Sequence, residues 1–340
     1  MKNGIAIAGN LIVDYVKMID TYAKPGMLCN ILSKSQGPGG CAANTLGCLA
    51  AMDPKLLLQC CGAVGEDDAG VVIMDFLKKY HIGMDGVITK KGTMTSFTDV
   101  MTVQRTGERT FFQARGANAV FGPEDLDYEQ IGRCRMFHIG YALLLDRFDE
   151  KDTEYGTVMA RTLAKVQSLG VKTSMDVVSE DGERFARVVK PALKYCNYFI
   201  ANEIEGGRIA AIEPRRSDGS LDREALTEIC GRLMECGVSE LVVLHAPEGG
   251  AYLTSDGRQG FTPSLKLPEG YIKGSVGAGD AFCAGILYAL YQDYPMEKAM
   301  LLANGAAAAN LAEADSLSGL RSVREIFELA EKYAEKGAAE

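Results

Sequence analysis

Apolar runs and polar breaks divide this chain into two kinds of segment. Ile5 to Ala8 is a short unbroken apolar run closed by Gly9-Asn10, which predicts a first strand buried on both faces. Leu11-Ile-Val-Asp14 follows, then a mixed segment, Tyr15 to Gln36, in which partial alternation over Met27 to Ser33 predicts one or two strands exposed on one face. Gly37-Pro-Gly-Gly40 opens an Ala- and Leu-rich helix from Cys41 to Met52. A buried strand is expected over Leu56 to Ala63 and a helix over Ala69 to Tyr80, with Val72, Phe76 and Leu77 on its apolar side. Thr95 to Val103 and Arg109 to Gln113 alternate, are β-branched or aromatic, and flank the turn-like Gln104 to Arg109. These strands, like those near residue 30, lack flanking helices. Together, residues 13–36 and 93–116 predict a small separate sheet.

From Met136 onward, strand and helix alternate. Strands are predicted over Met136 to Gly140, Val171 to Val178, Tyr198 to Ala201 and Leu241 to Leu244. Helices are predicted over Glu154 to Leu169, Arg184 to Tyr195 (against the grain of Pro191), Leu221 to Cys236, Ala278 to Tyr291, Met296 to Leu311 and Ser322 to Lys336. Repeated βα units imply a mainly parallel sheet covered on both faces, with ligands at the carboxyl ends of its strands. Asn10, Asn202 and His245 each follow such a strand.

Composition narrows the function without choosing it. The chain has 340 residues, 47% of them hydrophobic, enough for one large α/β domain or two modest ones. A net charge of -9 argues against non-specific nucleic-acid binding and against an anionic membrane surface. No secretory leader or membrane-spanning run is evident, so a cytoplasmic location is expected. The ten cysteines form no Cys-x-x-Cys and read as buried thiols. His81, His138 and His245 lie far apart in sequence, which gives a zinc site little to build on.

The most informative stretch runs from Gly274 to Leu290. A Gly-rich loop ends in Asp280 and feeds an apolar helix, whose N-terminus presents unpaired amides and a positive dipole end. Gly277 and Gly279 let an anionic group approach the backbone closely. Two readings of Asp280 are open on local features: an acid that stabilises a helix start, or a base that takes a proton from a hydroxyl while the amides stabilise a transferring phosphoryl group. The chain has no Gly-Lys-Ser/Thr, no Gly-x-Ser-x-Gly and no His-Arg-Asp, and its glycines here are spaced Gly-x-x-Gly-x-Gly. P-loop enzymes, typical α/β hydrolases, protein kinases and dinucleotide oxidoreductases are therefore disfavoured.

Gly274 to Phe282 resembles the C-terminal signature of the ribokinase (PfkB) carbohydrate kinase family. Gly37-Pro-Gly-Gly-Cys-Ala-Ala-Asn44 resembles its N-terminal Gly-Gly…Asn signature, Gly62 to Gly70 the segment after it, and Asn202-Glu-Ile-Glu205 its Asn-x-x-Glu pattern. The resemblance spans residue 5 to about residue 320. It implies a ribokinase-like three-layer sandwich in a single domain over residues 1–340, with a small β lid, and ATP-dependent phosphorylation of a hydroxymethyl group on a sugar or nucleoside. Asp280 would be the catalytic base, and Gly277, Ala278 and Gly279 would supply the anion-hole amides. Asn10, Asp14, Gly39, Gly40 and Asn44 would hold the substrate. Asn202 and Glu205 would act near Mg2+ and the phosphates, Glu205 through water. Asn304 would lie near the nucleotide base. His245 and Gly250 belong to a loop expected near the ATP ribose and phosphates, where many relatives carry a Gly in place of His245. Some relatives also bind a monovalent cation such as K+, which leaves that question open here.

Tyr141 and Arg115 can be read as substrate contacts or as core and surface residues. Cys283 reads as core, and Phe111 and Phe112 as lid packing rather than sugar stacking. Two alternatives to a sugar kinase stand: a nucleoside kinase on the same fold, and a scaffold that binds sugar and nucleotide without catalysing. An isolated lid would expose an apolar face, so a homodimer formed through the lids is expected.

Overall fold

The structure, a computed structural model, describes residues 2–179 and 184–334. In chain order the strands are β1 (Ile5–Ala8), β2 (Ile12–Ile19), β3 (Ile31–Gly39), β4 (Leu58–Gly65), β5 (Gly83–Lys90), β6 (Phe97–Val103), β7 (Arg109–Ala114), β8 (Met136–Ala142), the two-residue β9 (Lys151–Asp152) and β10 (Gly156–Thr157), β11 (Lys172–Val177), β12 (Tyr198–Asn202), β13 (Leu241–Ala246), β14 (Gly249–Thr254) and β15 (Gln259–Pro263). Nine of them form one sheet in the order β15-β14-β13-β12-β11-β8-β1-β4-β5. It is parallel from β13 to β5, while β14 and β15 add an antiparallel edge. From β1 the chain first builds outward through β4 and β5, then returns to β8 on the other side. That reversal places a crevice at the carboxyl ends of β1 and β8.

Helices cover both faces and produce two cores. One is packed by Cys41–Met52, Asp68–Lys79, Ala278–Tyr291 and Met296–Leu311, the other by Val158–Ser168, Glu203–Ala210 and Arg223–Glu235. The vicinal cysteines show the layering within one strand: Cys60 joins the first core and Cys61 the second, because successive β residues face opposite ways. All ten thiols are free, and only Cys29 and Cys236 are partly exposed.

The remaining long strands form the lid, in the order β3-β2-β6-β7. β2 enters directly from β1 across Leu11, whose backbone is clamped by the Asn118 side chain at 3.2 and 3.1 Å. The lid differs from expectation in extent: β2 covers Ile12–Ile19, and β3 runs to Gly39, so the Gly37-Pro-Gly-Gly40 stretch finishes a strand before Gly40 turns into the helix. Phe111 and Phe112 do not pack inside the lid; they are 60% and 56% exposed.

Other corrections have local causes. The helix expected from Glu154 begins at Val158, because 151–157 folds into the β9–β10 ribbon and Thr157 caps the helix through the Ala160 N–H. The Arg184 to Tyr195 helix is a π-turn over Phe185–Val189 followed by Lys190–Leu193, a widening that accommodates Pro191, which has no N–H to donate. No strand leads into the Gly274 loop; residues 264–276 are an irregular connection after β15. The last helix is Val323–Tyr333, and its expected end at Lys336 lies outside the described residues.

Candidate active site

The carboxyl ends of β8, β11, β12 and β13 and the start of the Ala278–Tyr291 helix enclose a cavity of about 250 Å3. Asp280 lies on its wall, 6% exposed. Gly277 is the turn into the helix, with a left-handed φ of 79° that a side chain would strain, and no side chain caps this end. Among the described residues the Gly277 and Gly279 amides have no protein acceptor, whereas the Ala278 N–H meets Ser275 O at 3.4 Å. The helix thus offers open donors and its positive end beside a carboxylate.

Asp280 is aimed by two donors. Asn44 Nδ2 donates to its Oδ2 at 2.8 Å, and the Tyr141 hydroxyl reaches the same oxygen at 3.4 Å. Asn44 is itself fixed by Ser316, whose hydroxyl donates to Asn44 Oδ1 at 2.9 Å. Burial pushes the Asp280 pKa up to about 8, and the neighbouring charge of Asp176 adds to that; Asn44 and Tyr141 pull it back, while Asp14 raises it. A carboxyl poised near neutral pH is suited to accepting a proton from an alcohol.

On the lid side, Asp14 on β2 lies against Gly39, where a Cβ would come within 2.2 Å of its Oδ2. Burial raises its pKa to about 6, against a lowering hydrogen bond from Thr98 on β6. Gly40, at φ 84°, passes so close to Asn10 O that a Cβ would stand 2.4 Å from it. Asn10 is 1% exposed, and neither atom of its side-chain amide has a partner among the described residues. A buried amide with both ends free is costly unless a ligand satisfies it.

Asn202 and Glu205 form a reciprocal cap of the Glu203–Ala210 helix: the Glu205 N–H donates to Asn202 Oδ1 at 2.8 Å and the Asn202 N–H to Glu205 Oε2 at 3.0 Å. The Ser179 hydroxyl donates to Glu205 Oε1 at 2.7 Å. Both residues also line the cavity, so capping and site roles coincide. Burial lifts the Glu205 pKa to about 7, with Asp176 and Glu203 adding to the rise. His245 is held neutral, its pKa lowered by burial to about 4, and its ring lies 4.9 Å from that of Phe282. The cavity wall carries Asp176, Glu205 and Asp280 but no Lys or Arg. Carboxyl groups whose ionised forms burial disfavours, with an amide and a hydroxyl beside them, fit a hard, hydrated divalent cation that would favour ionisation.

Asn10, Asp14, Gly39, Gly40, Asn44 and Ala278 do not line this cavity, Asn44 meeting it through Asp280, and Gly250 and Asn304 lie elsewhere. Gly250 faces His245 across the β13–β14 pair and packs on Met300 and Phe282. Asn304 donates to Pro263 O at 3.0 Å and so ties its helix to β15. Asp176, Ser179, Thr98 and Ser316 were not singled out by sequence. A lone carboxylate in the apolar run ending at Val178 is the signal that marks Asp176. Tyr141 lines the cavity; its left-handed φ of 57° turns its N–H onto Asp176 Oδ1 at 2.5 Å and its hydroxyl toward Asp280.

The model of the pfkB family carbohydrate kinases matches residues 5–322. The chain belongs to this family. As a pfkB carbohydrate kinase it is a phosphotransferase with an alcohol acceptor. It is 25% identical over 293 residues to a probable chloroplastic fructokinase-6 of Arabidopsis thaliana, covering 84% of this chain and 69% of that one. It is also 25% identical over 301 residues to an ATP-dependent ribose-1-phosphate kinase of Halopiger xanaduensis, covering 88% and 89%. The solved structure of Arabidopsis thaliana ribokinase with ribose and ATP superposes with a TM-score of 0.81 at 18% identity over 97% of this chain and 99% of that one, which establishes the ribokinase fold for this pfkB kinase. No helix among the described residues is long and apolar enough to cross a membrane.

Proposed function

We propose that this pfkB kinase transfers the γ-phosphoryl group of ATP to a primary hydroxyl of a small sugar or sugar derivative, with Asp280 as the base. The observation that carries this reading is the buried Asp280 carboxylate, aimed by Asn44 and Tyr141 at the mouth of an uncapped helix N-terminus. Asn10 and Asp14, flanked by Gly39 and Gly40, grip the sugar hydroxyls from the lid side. The Asn10 amide, without a protein partner, gives one such hydroxyl both a donor and an acceptor. Asp280 accepts the proton as the hydroxyl attacks in line, and the Gly277 and Gly279 amides, with that of Ala278 beside them, receive the charge that develops on the transferring group. Glu205 would hold Mg2+ through water, with Asn202 near it and the phosphates, and the ion would supply neutralisation of the phosphate charge. His245, neutral and tilted against Phe282, shapes the wall beside Gly279 rather than moving protons, and the loop bearing it and Gly250 lies toward the nucleotide ribose, with Asn304 toward the base. ATP use is supported by the superposable ribokinase that was solved with ATP bound.

The test is ADP release with Mg2+ and ATP, with and without K+, over fructose, ribose, ribose 1-phosphate, 5-dehydro-2-deoxygluconate, adenosine and cytidine. A sugar-dependent signal that disappears in Asp280→Asn supports the reading. Turnover of nucleosides alone favours a nucleoside kinase, and binding of sugar and ATP without product favours a non-catalytic scaffold. A homodimer through the lids is part of the same proposal: Leu28, Ile31, Phe111 and Phe112 are exposed on the lid, and a partner lid would cover them.

A further inference from the structure

The fold gathers three potential metal ligands that sequence separation conceals. His138 on β8, Asp176 on β11 and Cys283, one helical turn beyond Asp280, are all buried, and their ligand atoms lie within 4.8 Å of one another. We propose that these side chains form a binding site for one Zn2+ ion in the floor of the cavity. His138 Nε2 stands 3.3 Å from Asp176 Oδ2 and 3.9 Å from Cys283 Sγ. Zinc bonds of about 2.0–2.1 Å to nitrogen, about 2.0–2.2 Å to oxygen and about 2.3 Å to sulfur, at tetrahedral angles, require ~3.3 Å between N and O and ~3.6 Å between N and S. The first spacing is already met, the second needs a contraction of a few tenths of an ångström, and the Asp176–Cys283 pair, which lies within 4.8 Å, closes to ~3.6 Å as the ion draws the ligands in.

Outer contacts fit the assignment. His138 Nδ1 lies 3.0 Å from Ser174 Oγ, so a proton on Nδ1 donated to that hydroxyl leaves the Nε2 lone pair for the metal. Asp176 accepts the Tyr141 N–H on Oδ1, which leaves Oδ2 free to ligate. Cys283 has no other partner than His138 Nε2 among the described residues. On binding, the thiol proton is released to solvent and a zinc–thiolate bond forms. Three protein ligands leave the fourth position open, and Asp176 and Cys283 both line the cavity, so that position faces it. The soft sulfur separates this site from the all-oxygen environment suited to Mg2+. If the proposed kinase chemistry holds, a zinc ion here is inhibitory, because its open position competes for the oxygens of the transferring group.

Stoichiometric Co2+ is added to the full-length, chelator-treated protein as a spectroscopic stand-in, and Zn2+ affinity is read by competition with a chromophoric chelator. The expected result is a near-ultraviolet thiolate-to-cobalt band with intense tetrahedral visible bands. The thiolate band disappears in Cys283→Ser and survives in Cys61→Ser; Zn2+ affinity falls at least tenfold in His138→Gln. Thermal melts of each variant separate lost binding from lost folding. No thiolate band at micromolar protein, or a band that survives in Cys283→Ser, overturns the site. These readouts need no substrate, so they stand apart from the kinase assay. In that assay, turnover unaffected by a filled site overturns the inhibitory role, and loss of turnover reversed by chelation supports it.

Discussion

The nine-stranded sheet and the four-stranded lid use similar residues to opposite ends. All four residues of β1 are buried, whereas the first six of β3 are exposed. The large sheet is sandwiched between two cores, so its carboxyl ends are fixed platforms for Tyr141, Asp176, Asn202 and His245. The lid has one face toward the body and one toward solvent, and it brings Asp14 to the site on a thin, two-sided structure. The difference suggests a division of labour: bond making belongs to the rigid body, and substrate grip to the lid.

The largest effect should come from the body. Asp280→Asn lowers kcat by about 10²–10⁴-fold while ATP binding by calorimetry stays near wild type. Next comes stability: Phe137→Ala in the sheet costs about 3–5 kcal/mol in urea unfolding, whereas Phe112→Ala on the lid stays within about 0.5 kcal/mol. Equal losses at the two positions would erase the contrast. Asp14→Asn raises KM for the sugar roughly tenfold or more with a smaller change in kcat, since it removes a grip rather than the base. A matching fall in kcat would place Asp14 in the chemistry and end the division.

Acidity sharpens the same contrast. In the free enzyme kcat/KM should rise with pH and level off above about 8, where Asp280 is ionised. Stability runs the other way. The folded pKa of about 8 lies above the ordinary value of 3.8, so the stabilising contribution is complete below the latter and is lost as pH rises through the former. The melting temperature of Asp280→Asn should therefore exceed that of wild type by an amount that grows with pH between those two values. The smallest effect tests the proposed lid dimer: where wild type scatters as a dimer, Phe111→Ser with Phe112→Ser should scatter as a monomer with little change in melting, and a monomeric wild type ends the dimer proposal.

Legibility followed the same line between body and lid. The helices Cys41–Met52, Ala278–Tyr291 and Met296–Leu311 begin where the sequence says they should, because Gly40, Gly277 and Pro295 punctuate the chain just before them. The strand Ile12–Ile19 was not visible as a unit, since Asp14 and Lys17 interrupt its pattern, and its register depends on pairing with β3 and β6, residues distant in sequence. The β14–β15 hairpin was missed although Asp256-Gly257 marks its turn. In the site, motif-bearing loops were readable, but the supports were not. Ser316, which orients Asn44 from 272 residues away, carries no local signature, and Asp176, which acts on Asp280 through space, shows only as a lone carboxylate in an apolar run.

Cys60 and Cys61 give the two cores separate clocks. A thiol reacts only as an accessible thiolate, and burial raises the pKa of both above its ordinary value, that of Cys61 to about 12. A maleimide added to the native protein can therefore mark either one only during an excursion that parts the layer it faces. Two neighbouring atoms on one strand would then time the opening of opposite halves of the molecule, and a difference in their labelling rates would say which side of the sheet loosens first.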